Sequence, residues 1–185
     1  MRITGGVLKN RIVKCPKGVI RPAMDRMRLS IFSIIGELTS FSFLDLFSGS
    51  GLCALEACSR GAHPVVLVEK DAGKFSTILE NVSMAENRIE CKRMSVELFI
   101  KRNSRAFDFI YIDPPFPYKF HNELLASIAS SPTTHEGSIV IMHRPREKEG
   151  QEIAGLQKVD ERQYGRSIVD FYQCLAKVTL HTHPN

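Results

Sequence analysis

The sequence predicts an α/β fold built on a mostly parallel seven-stranded sheet. In the middle of the chain, short apolar runs alternate with segments of helical periodicity, and this β-α-β alternation favours a parallel sheet with helices on both faces. Two of the runs, residues 65–68 and 139–142, are apolar throughout, as burial of a strand on both faces requires. Residues 156–164 and 167–176 turn at Gly165, and they predict a C-terminal antiparallel hairpin.

The N-terminal segment predicts a small basic extension of this fold. Residues 2–15 alternate loosely around two turn signals, which favours short strands or a hairpin. A Lys-Gly pair at residues 17–18 and an Arg-Pro pair at residues 21–22 then break the chain. Apolar residues at helical spacing predict an amphipathic helix from Met24 to Leu38.

The remaining elements follow as strand and helix in turn. Apolar runs rich in β-branched and aromatic residues predict strands at residues 43–47, 64–69, 89–94, 107–112 and 138–142. Between them, apolar residues at helical spacing predict helices at residues 52–60, 72–87, 96–103 and 120–130. We therefore expect a basic hairpin and helix over residues 1–38, followed by an α/β domain over residues 39–185.

Composition restricts the class of protein. The chain has 185 residues, of which 43% are hydrophobic and 24% charged, as is typical of a soluble globular protein. No apolar stretch approaches the roughly 18 residues that cross a bilayer, and the first residues lack the apolar core of a signal peptide. The five cysteines are scattered without a C-x-x-C pair, which favours a reducing cytosol and argues against a zinc site. We expect a cytoplasmic monomer with no membrane partner.

Positive charge is concentrated at the N-terminus. Residues 1–28 carry eight basic side chains against Asp25 alone, a net charge of +7, whereas the whole chain carries +5 and the remainder therefore −2. A nearly neutral body with a basic segment is typical of a protein that contacts a phosphate backbone. The alternative is a solvated basic hairpin that binds nothing in particular.

The motif Asp113-Pro114-Pro115-Phe116 is the most informative feature of the chain. It follows a predicted buried strand, and two prolines cannot continue a strand because they donate no backbone hydrogen bond. The chain must leave the sheet rigidly, with a carboxylate before the turn and an aromatic ring after it. A hydrogen-bond acceptor beside a flat ring suits a planar, amine-bearing ring such as a nucleobase. The alternative is a strand-end turn with a core phenylalanine.

A glycine-rich loop at residues 45–51 joins the first sheet strand to a helix. Glycines let the backbone approach a ligand, and the helix N-terminus offers free N–H groups. Glu69 ends the next strand, where a carboxylate can accept both hydroxyls of a ribose. The loop also fits the dinucleotide fingerprint, but Asp45 suits an ammonium-bearing ligand such as S-adenosylmethionine and would repel a pyrophosphate. The alternative is that both carboxylates are caps or surface charges.

These motifs together resemble one known family. They are Arg2-Ile3-x-Gly5-Gly6, Arg21-Pro22-x-x-Asp25-Arg26-x-Arg28, the loop at residues 45–51, Glu-Ala-x-Ser-Arg-Gly-Ala at residues 56–62, the Asp113 motif and Tyr164-Gly165. The chain resembles the bacterial 16S ribosomal RNA guanine-N2 methyltransferases, the class that modifies guanine 966 of the small-subunit RNA. The resemblance runs nearly end to end, and the motif at residues 56–62 is its most specific part.

The resemblance implies a Rossmann-like methyltransferase fold and a set of ligands. The methyl donor is S-adenosylmethionine, the product is S-adenosylhomocysteine, and no metal takes part. The partner is 16S rRNA, within the assembled or assembling 30S subunit. The cofactor residues are expected to be Asp45, Ser48, Gly49, Gly51, Glu69, Lys70, Met94 and Ser95. The RNA phosphates are expected to contact Arg2, Lys9, Arg11, Arg21 and Arg26.

The expected catalytic residues are Asp113, Pro114 and Phe116. The guanine N2 lone pair is delocalised, so Asp113 and the Pro114 carbonyl would each accept one N–H and free that lone pair, while Phe116 stacks on the base. Asp113 could also take the proton released after methylation, and the base must be unstacked to enter the pocket. A cysteine-based mechanism is set aside because no thiol lies at this turn. Three histidines that could be bases are expected to be surface or loop residues, namely His121, His135 and His143.

Two positions depart from the family pattern. Ala23 stands where a threonine is expected, which removes a hydroxyl contact at that position. Met94 and Ser95 stand where the family often has an acidic or amide group near the cofactor adenine. The adenine edge would then be bound by backbone groups or by Ser95.

Three other functions compete with this interpretation. A DNA adenine-N6 methyltransferase could hold the adenine amine at the same turn, although the chain has no room for a separate target-recognition domain. A nicotinamide-dependent oxidoreductase would leave Asp45 and the Asp113 turn unexplained. An RNA-binding assembly factor that has lost turnover would retain the fold and the basic segment.

Overall fold

The computed structural model describes residues 1–15, 22–86, 88–147 and 151–177. The strands are β1 (Phe43–Leu46), β2 (Val65–Val68), β3 (Ile89–Lys92), β4 (Phe109–Ile112), β5 (Ile139–Pro145), β6 (Leu156–Tyr164) and β7 (Ser167–Cys174). The helices are α1 (Pro22–Ile35), α2 (Leu52–Ser59), α3 (Ala72–Val82), α4 (Val96–Arg102) and α5 (His121–Ser130), with a 3₁₀ turn at Ser83–Ala85. Over these residues, no helix has the length and hydropathy of a membrane span.

All seven strands form one sheet in the order β3-β2-β1-β4-β5-β7-β6. The first five pair in parallel, and β7 pairs antiparallel with both β5 and β6. The predicted α/β fold, with a mostly parallel sheet and a C-terminal antiparallel hairpin, is therefore confirmed. The strand order reverses between β1 and β4, and in such sheets the crevice at the carboxyl ends of these strands is where ligands bind.

Two hydrophobic clusters cover the two faces of the sheet. One cluster joins α1, α2 and α3 to the face that carries Leu67, Tyr111 and Ile141. The other joins α4 and α5 to the opposite face. Ile3 and Leu8 are buried in the first cluster, so the N-terminal segment packs into the same core as the sheet.

Element boundaries differ from the sequence prediction at two informative places. Helix α3 ends at Val82 instead of residue 87, because a 3₁₀ turn follows and Glu86 adopts a left-handed conformation with φ 51°. Strand β5 continues past Met142 to Pro145, because β7 pairs with it along that length. The extension adds two polar residues, His143 and Arg144, to a strand predicted to end on an apolar run.

Candidate active site

Three carboxylates lie at the carboxyl edge of neighbouring parallel strands. Asp45 lies within β1, one residue before its end. Leu46 of β1 pairs with the last residue of β2 on one side and the last residue of β4 on the other. Glu69 and Asp113 directly follow those two strands, so they flank the end of β1. This position matches the point where the strand order reverses.

Asp45 is fully buried and held by two hydrogen bonds. Its Oδ2 accepts from the Ser48 hydroxyl at 2.6 Å and from the Ala54 N–H at 3.1 Å. Burial, with a smaller contribution from the negative charges of Asp113 and Glu69, raises the pKa of Asp45 from 3.8 to about 7 in spite of these hydrogen bonds. This edge of the sheet therefore has excess negative potential, which a cationic ligand would relieve.

The glycine-rich loop is hydrogen-bonded to Glu69. The Gly49 N–H donates to Glu69 Oε2 at 3.0 Å, and the Asp71 N–H donates to Oε1 at 2.9 Å. Gly49 and Gly51 have φ values of 61° and 78°, which side-chain-bearing residues rarely adopt. The loop thus places its backbone beside a carboxylate at the N-terminus of α2, where the free N–H groups of the helix begin.

The other predicted cofactor residues follow β2 and β3 at the same carboxyl edge of the sheet, in different environments. Met94 is half-buried and packs on the same cluster as Phe47 and Tyr118. Ser95 caps α4, with its hydroxyl accepting from the Leu98 N–H at 3.2 Å. Lys70 follows Glu69 and is exposed.

The Asp113 turn leaves the sheet as the two prolines require. The Asp113 N–H still donates to the Leu46 carbonyl at 3.3 Å, whereas Pro114 is buried and closes the strand. The Tyr118 N–H then donates to the Pro115 carbonyl at 2.8 Å and forms a turn. Phe116 is 55% exposed, so its ring can reach a large ligand outside the core.

Asp113 has a partner that the sequence did not indicate. Nδ1 of His143 lies 2.6 Å from Asp113 Oδ1, and His143 is buried in β5. The expectation of a surface or loop residue is wrong for His143, because β5 extends to include it. It is also wrong for His121, which is buried at the start of α5 with its ring 5.4 Å from that of Tyr118. His135 is exposed, as expected.

Tyr111 lies on the same strand two residues before Asp113. Its hydroxyl is 3.5 Å from Asp113 Oδ2, a long contact. Burial raises the pKa of Tyr111 well above its usual range, with the charge of Asp113 acting in the same direction. Tyr111 therefore stays protonated and can only donate to the carboxylate.

The basic N-terminal segment lies against α2. Arg2, Lys9 and Arg11 are exposed on this segment, and Arg26 is exposed on α1. Arg21, the fifth predicted phosphate contact, lies outside the described residues. Arg2 and Ile12 form an antiparallel bridge, and beside it the Ile3 N–H donates to the Arg11 carbonyl at 3.1 Å and the Val13 N–H donates to the Met1 carbonyl at 2.9 Å.

The motif at residues 56–62 explains how that segment is held. Glu56 accepts from the Thr4 N–H at 2.8 Å and from Arg28 at 2.7 Å. Ser59 accepts from the Leu8 N–H at 2.8 Å and donates to the Gly5 carbonyl at 2.5 Å. A Cβ on Gly6 would come within 1.7 Å of the Ser59 carbonyl oxygen, so only glycine permits this approach. The motif therefore fixes the N-terminal segment to the domain.

Asn81 connects the same segment to the glycine-rich loop. Its side-chain amide donates to the Ser50 and Lys14 carbonyls, each at 2.8 Å, and its oxygen accepts from the Lys14 N–H at 2.9 Å. This role could not be predicted from the sequence, because an asparagine within a helix pattern does not reveal such distant partners.

Known proteins match this chain over most of its length. The family described as conserved hypothetical protein 95 matches residues 1–173. A Bacillus subtilis protein named "Putative rRNA methyltransferase YlbH" is 29% identical over 181 residues, which cover 94% of this chain and 98% of the relative. The Escherichia coli protein named "Ribosomal RNA small subunit methyltransferase D" is 28% identical over 119 residues, which cover 63% of this chain and 60% of the relative.

Solved structures share the fold. The Escherichia coli structure described as "Putative methyltransferase yhhF" superimposes with a TM-score of 0.87 at 22% identity, covering 96% of this chain and 99% of the other. Within the described part of this chain, no group of three or more His, Cys, Asp and Glu side chains is arranged to hold a metal ion.

Proposed function

The chain belongs to the conserved hypothetical protein 95 family, and on that premise we propose that it transfers a methyl group from S-adenosylmethionine to the N2 amine of a guanine in 16S rRNA. The family resemblance drawn from the sequence motifs is confirmed. The observation that carries the proposal is the position of Asp113, an acceptor for an amine, at the same edge of the sheet as two further carboxylates, Asp45 and Glu69. The names of the relatives support rRNA, and guanine 966 is proposed from the sequence resemblance alone.

The pocket fits the charge of the proposed donor. When bound, S-adenosylmethionine supplies an electrophilic methyl group on a positively charged sulfonium. Asp45 would hold its ammonium group, and Glu69 would accept the ribose hydroxyls. The backbone at Gly49 and Gly51 can approach the ligand because no side chain intervenes. Ser48 would orient Asp45 through their hydrogen bond. Met94 and Ser95 would lie at the adenine, and Lys70 would lie at the edge of the cofactor site.

The Asp113 turn supplies the groups that the acceptor amine needs. Asp113 and the Pro114 carbonyl would each accept an N–H of guanine N2, so that the nitrogen lone pair is freed for attack. The exposed Phe116 ring would stack on a base that has left its stack. Asp113 would then take the proton of the methylated amine. Positioning and charge are thus the main contributions of the chain.

The exposed basic side chains of the N-terminal segment would bind RNA phosphates. They lie on a segment that contacts both α2 and, through Asn81, the glycine-rich loop. A single short basic segment on a small domain suits recognition of a preformed ribonucleoprotein surface. We therefore propose that the monomer acts on the assembled or assembling 30S subunit. Protein-free RNA that is methylated as fast as subunits would contradict this choice of substrate.

Tritiated methyl transfer to unmodified small subunits tests the proposed function. Label is expected in RNA as N2-methylguanosine, identified by nucleoside analysis. Duplex DNA carrying unmethylated adenine is the parallel substrate, and label there as N6-methyladenine would favour the DNA enzyme instead. Binding of RNA at saturating S-adenosylmethionine without label would favour an assembly factor.

Binding of S-adenosylmethionine is expected to weaken as pH falls. The ammonium group requires the ionised form of Asp45, whose pKa is about 7. Between pH 8 and pH 6 the ionised fraction drops, and Kd measured by calorimetry should rise about tenfold. In the absence of ligand, the pH dependence of stability has the opposite sign, because the folded state binds the Asp45 proton more tightly than the unfolded state does. The free energy of unfolding should therefore decrease as pH rises from about 4 to about 7.

Asp45→Asn is the control for this pH dependence. It removes the titrating group and should give weak binding of S-adenosylmethionine with a flat pH profile. A variant that retains the wild-type profile would show that another group is responsible.

Lys9→Gln combined with Arg11→Gln is expected to weaken RNA binding in a salt-dependent manner. Each phosphate contact that is lost should lower the slope of log K against log salt by about 0.7–0.9, because fewer counterions are released. At saturating RNA, kcat should stay near its wild-type value. Lys101→Gln with Arg102→Gln is the matched control, since both side chains are exposed on α4. Equal losses in the two double variants would contradict a specific role of the N-terminal segment.

A further inference from the structure

His143 lies beside Asp113 because of the register between β4 and β5. Ile112 pairs with Met142 in parallel, so the next residues, Asp113 and His143, lie level at the carboxyl edge of the sheet. Side chains two residues apart on a strand share a face, and Tyr111 and Ile141 belong to the same core cluster. The side chains of Asp113 and His143 therefore lie on the same face of the sheet as those of Tyr111 and Ile141.

The hydrogen bond between the two side chains fixes the state of the imidazole. Asp113 Oδ1 is 2.6 Å from Nδ1, and the histidine side chain is only 9% exposed. A carboxylate can only accept, so the proton of this hydrogen bond is assigned to Nδ1 of His143. In the tautomer with the proton on Nδ1, Nε2 is the acceptor nitrogen.

Among the described residues, Asp113 is the only polar partner of the His143 side chain. Val169 of β7 is its pairing partner, and the adjacent Arg144 is bound to Asp170 and Glu161. Nε2 is buried and has no hydrogen-bond partner among the described residues. A buried polar atom without a partner is unfavourable, and an apolar side chain would avoid that cost. The hydrogen bond between Nδ1 and Asp113 compensates the cost of the unpartnered Nε2.

We propose that His143 is a positioning residue that holds Asp113 in the orientation needed to accept an N–H from the substrate amine. The inference rests on the proposed function. With Oδ1 bound to His143, the oxygen left for the amine is Oδ2, which has a long 3.5 Å contact with the Tyr111 hydroxyl. An unrestrained carboxylate rotates about its last bond, whereas a fixed one presents the same oxygen in each turnover.

His143→Leu and His143→Asn test this role. Leucine fills the volume without a donor, whereas the asparagine amide can place an N–H near the position of Nδ1. In methyl transfer to 16S rRNA, His143→Leu is expected to lower kcat by about 10- to 100-fold, with KM for S-adenosylmethionine within about twofold of wild type. His143→Asn should recover most of that loss. If His143 had only a structural role, both substitutions would lower the melting temperature, and kcat would not fall selectively while KM stays near its wild-type value.

A double-mutant cycle tests whether His143 affects kcat through Asp113. In the Asp113→Ala background, His143→Leu should cause no further loss of kcat, because the group it orients is absent. An additional loss as large as in the wild-type background would overturn the inference. So would a wild-type kcat for His143→Leu.

A spectroscopic measurement separates this inference from the proposed function. Long-range ¹⁵N–¹H spectra of the imidazoles in the free protein should show the Nδ1–H form of His143, with its signal shifted in Asp113→Ala. The Nε2–H form in the wild type would overturn the inference whatever the substrate is. Wild-type protein that shows the Nδ1–H form but methylates no RNA would instead overturn the proposed function.

Discussion

Asp113→Ala is expected to lower kcat for methyl transfer by about 10²- to 10⁴-fold, the range for loss of a positioned acid–base or hydrogen-bonding group. The variant removes the group proposed to accept an N–H of the amine and later its proton. It also leaves Nδ1 of His143 without its acceptor. Single-turnover transfer from tritiated S-adenosylmethionine to small subunits measures the loss without interference from product release.

Asp113→Asn and Asp160→Ala are the companions of that variant. The asparagine retains an acceptor oxygen in the same volume but cannot take a proton, so its kcat should lie between those of alanine and wild type. Asp160 lies on β6 in an exposed pair with Arg162, and its loss should leave kcat unchanged. The affinity for S-adenosylmethionine should change far less than kcat in the two Asp113 variants. Transfer at the wild-type rate by Asp113→Ala would refute the assignment of this residue.

The sequence predicted the parts of the site that are encoded locally. Asp45, Glu69 and Asp113 each lie at or next to the end of an apolar strand, and parallel strands bring their carboxyl ends to one edge of a sheet. The glycine loop and the two prolines mark their turns by residue type alone. These features need no knowledge of which strands are neighbours, so the positions of these residues at strand ends could be predicted from short motifs.

The contacts that orient the site depend on pairings distant in the sequence. His143 is 30 residues from Asp113, and they meet only because β4 and β5 pair in one particular register. The apolar run before His143 predicted the strand but not its length, which β7 determines. Glu56 is likewise 52 residues from Thr4. An acidic residue in a short helix pattern does not indicate whether it faces solvent or a buried arginine.

Glu56→Gln is expected to destabilise the protein strongly. Glu56 is fully buried and compensates the charges of Arg28 at 2.7 Å and Arg60 at 3.0 Å. Glutamine keeps the shape but removes the negative charge, and breaking a buried ion pair in this way costs about 3–5 kcal/mol. For a chain of this size, the melting temperature should fall by roughly 10 °C, and urea unfolding measures the free energy directly.

Glu80→Gln is the matched control for this effect. Glu80 pairs with Lys14 on the surface, where both side chains are more than half exposed, so its loss should cost no more than about 1 kcal/mol. Glu56 also accepts from the Thr4 N–H, and its replacement should therefore loosen the N-terminal segment. Proteolysis within residues 1–15 should become faster in Glu56→Gln and remain slow in Glu80→Gln. Equal stability of the two variants would show that the buried charges are compensated without Glu56, and the motif at residues 56–62 would then need another explanation.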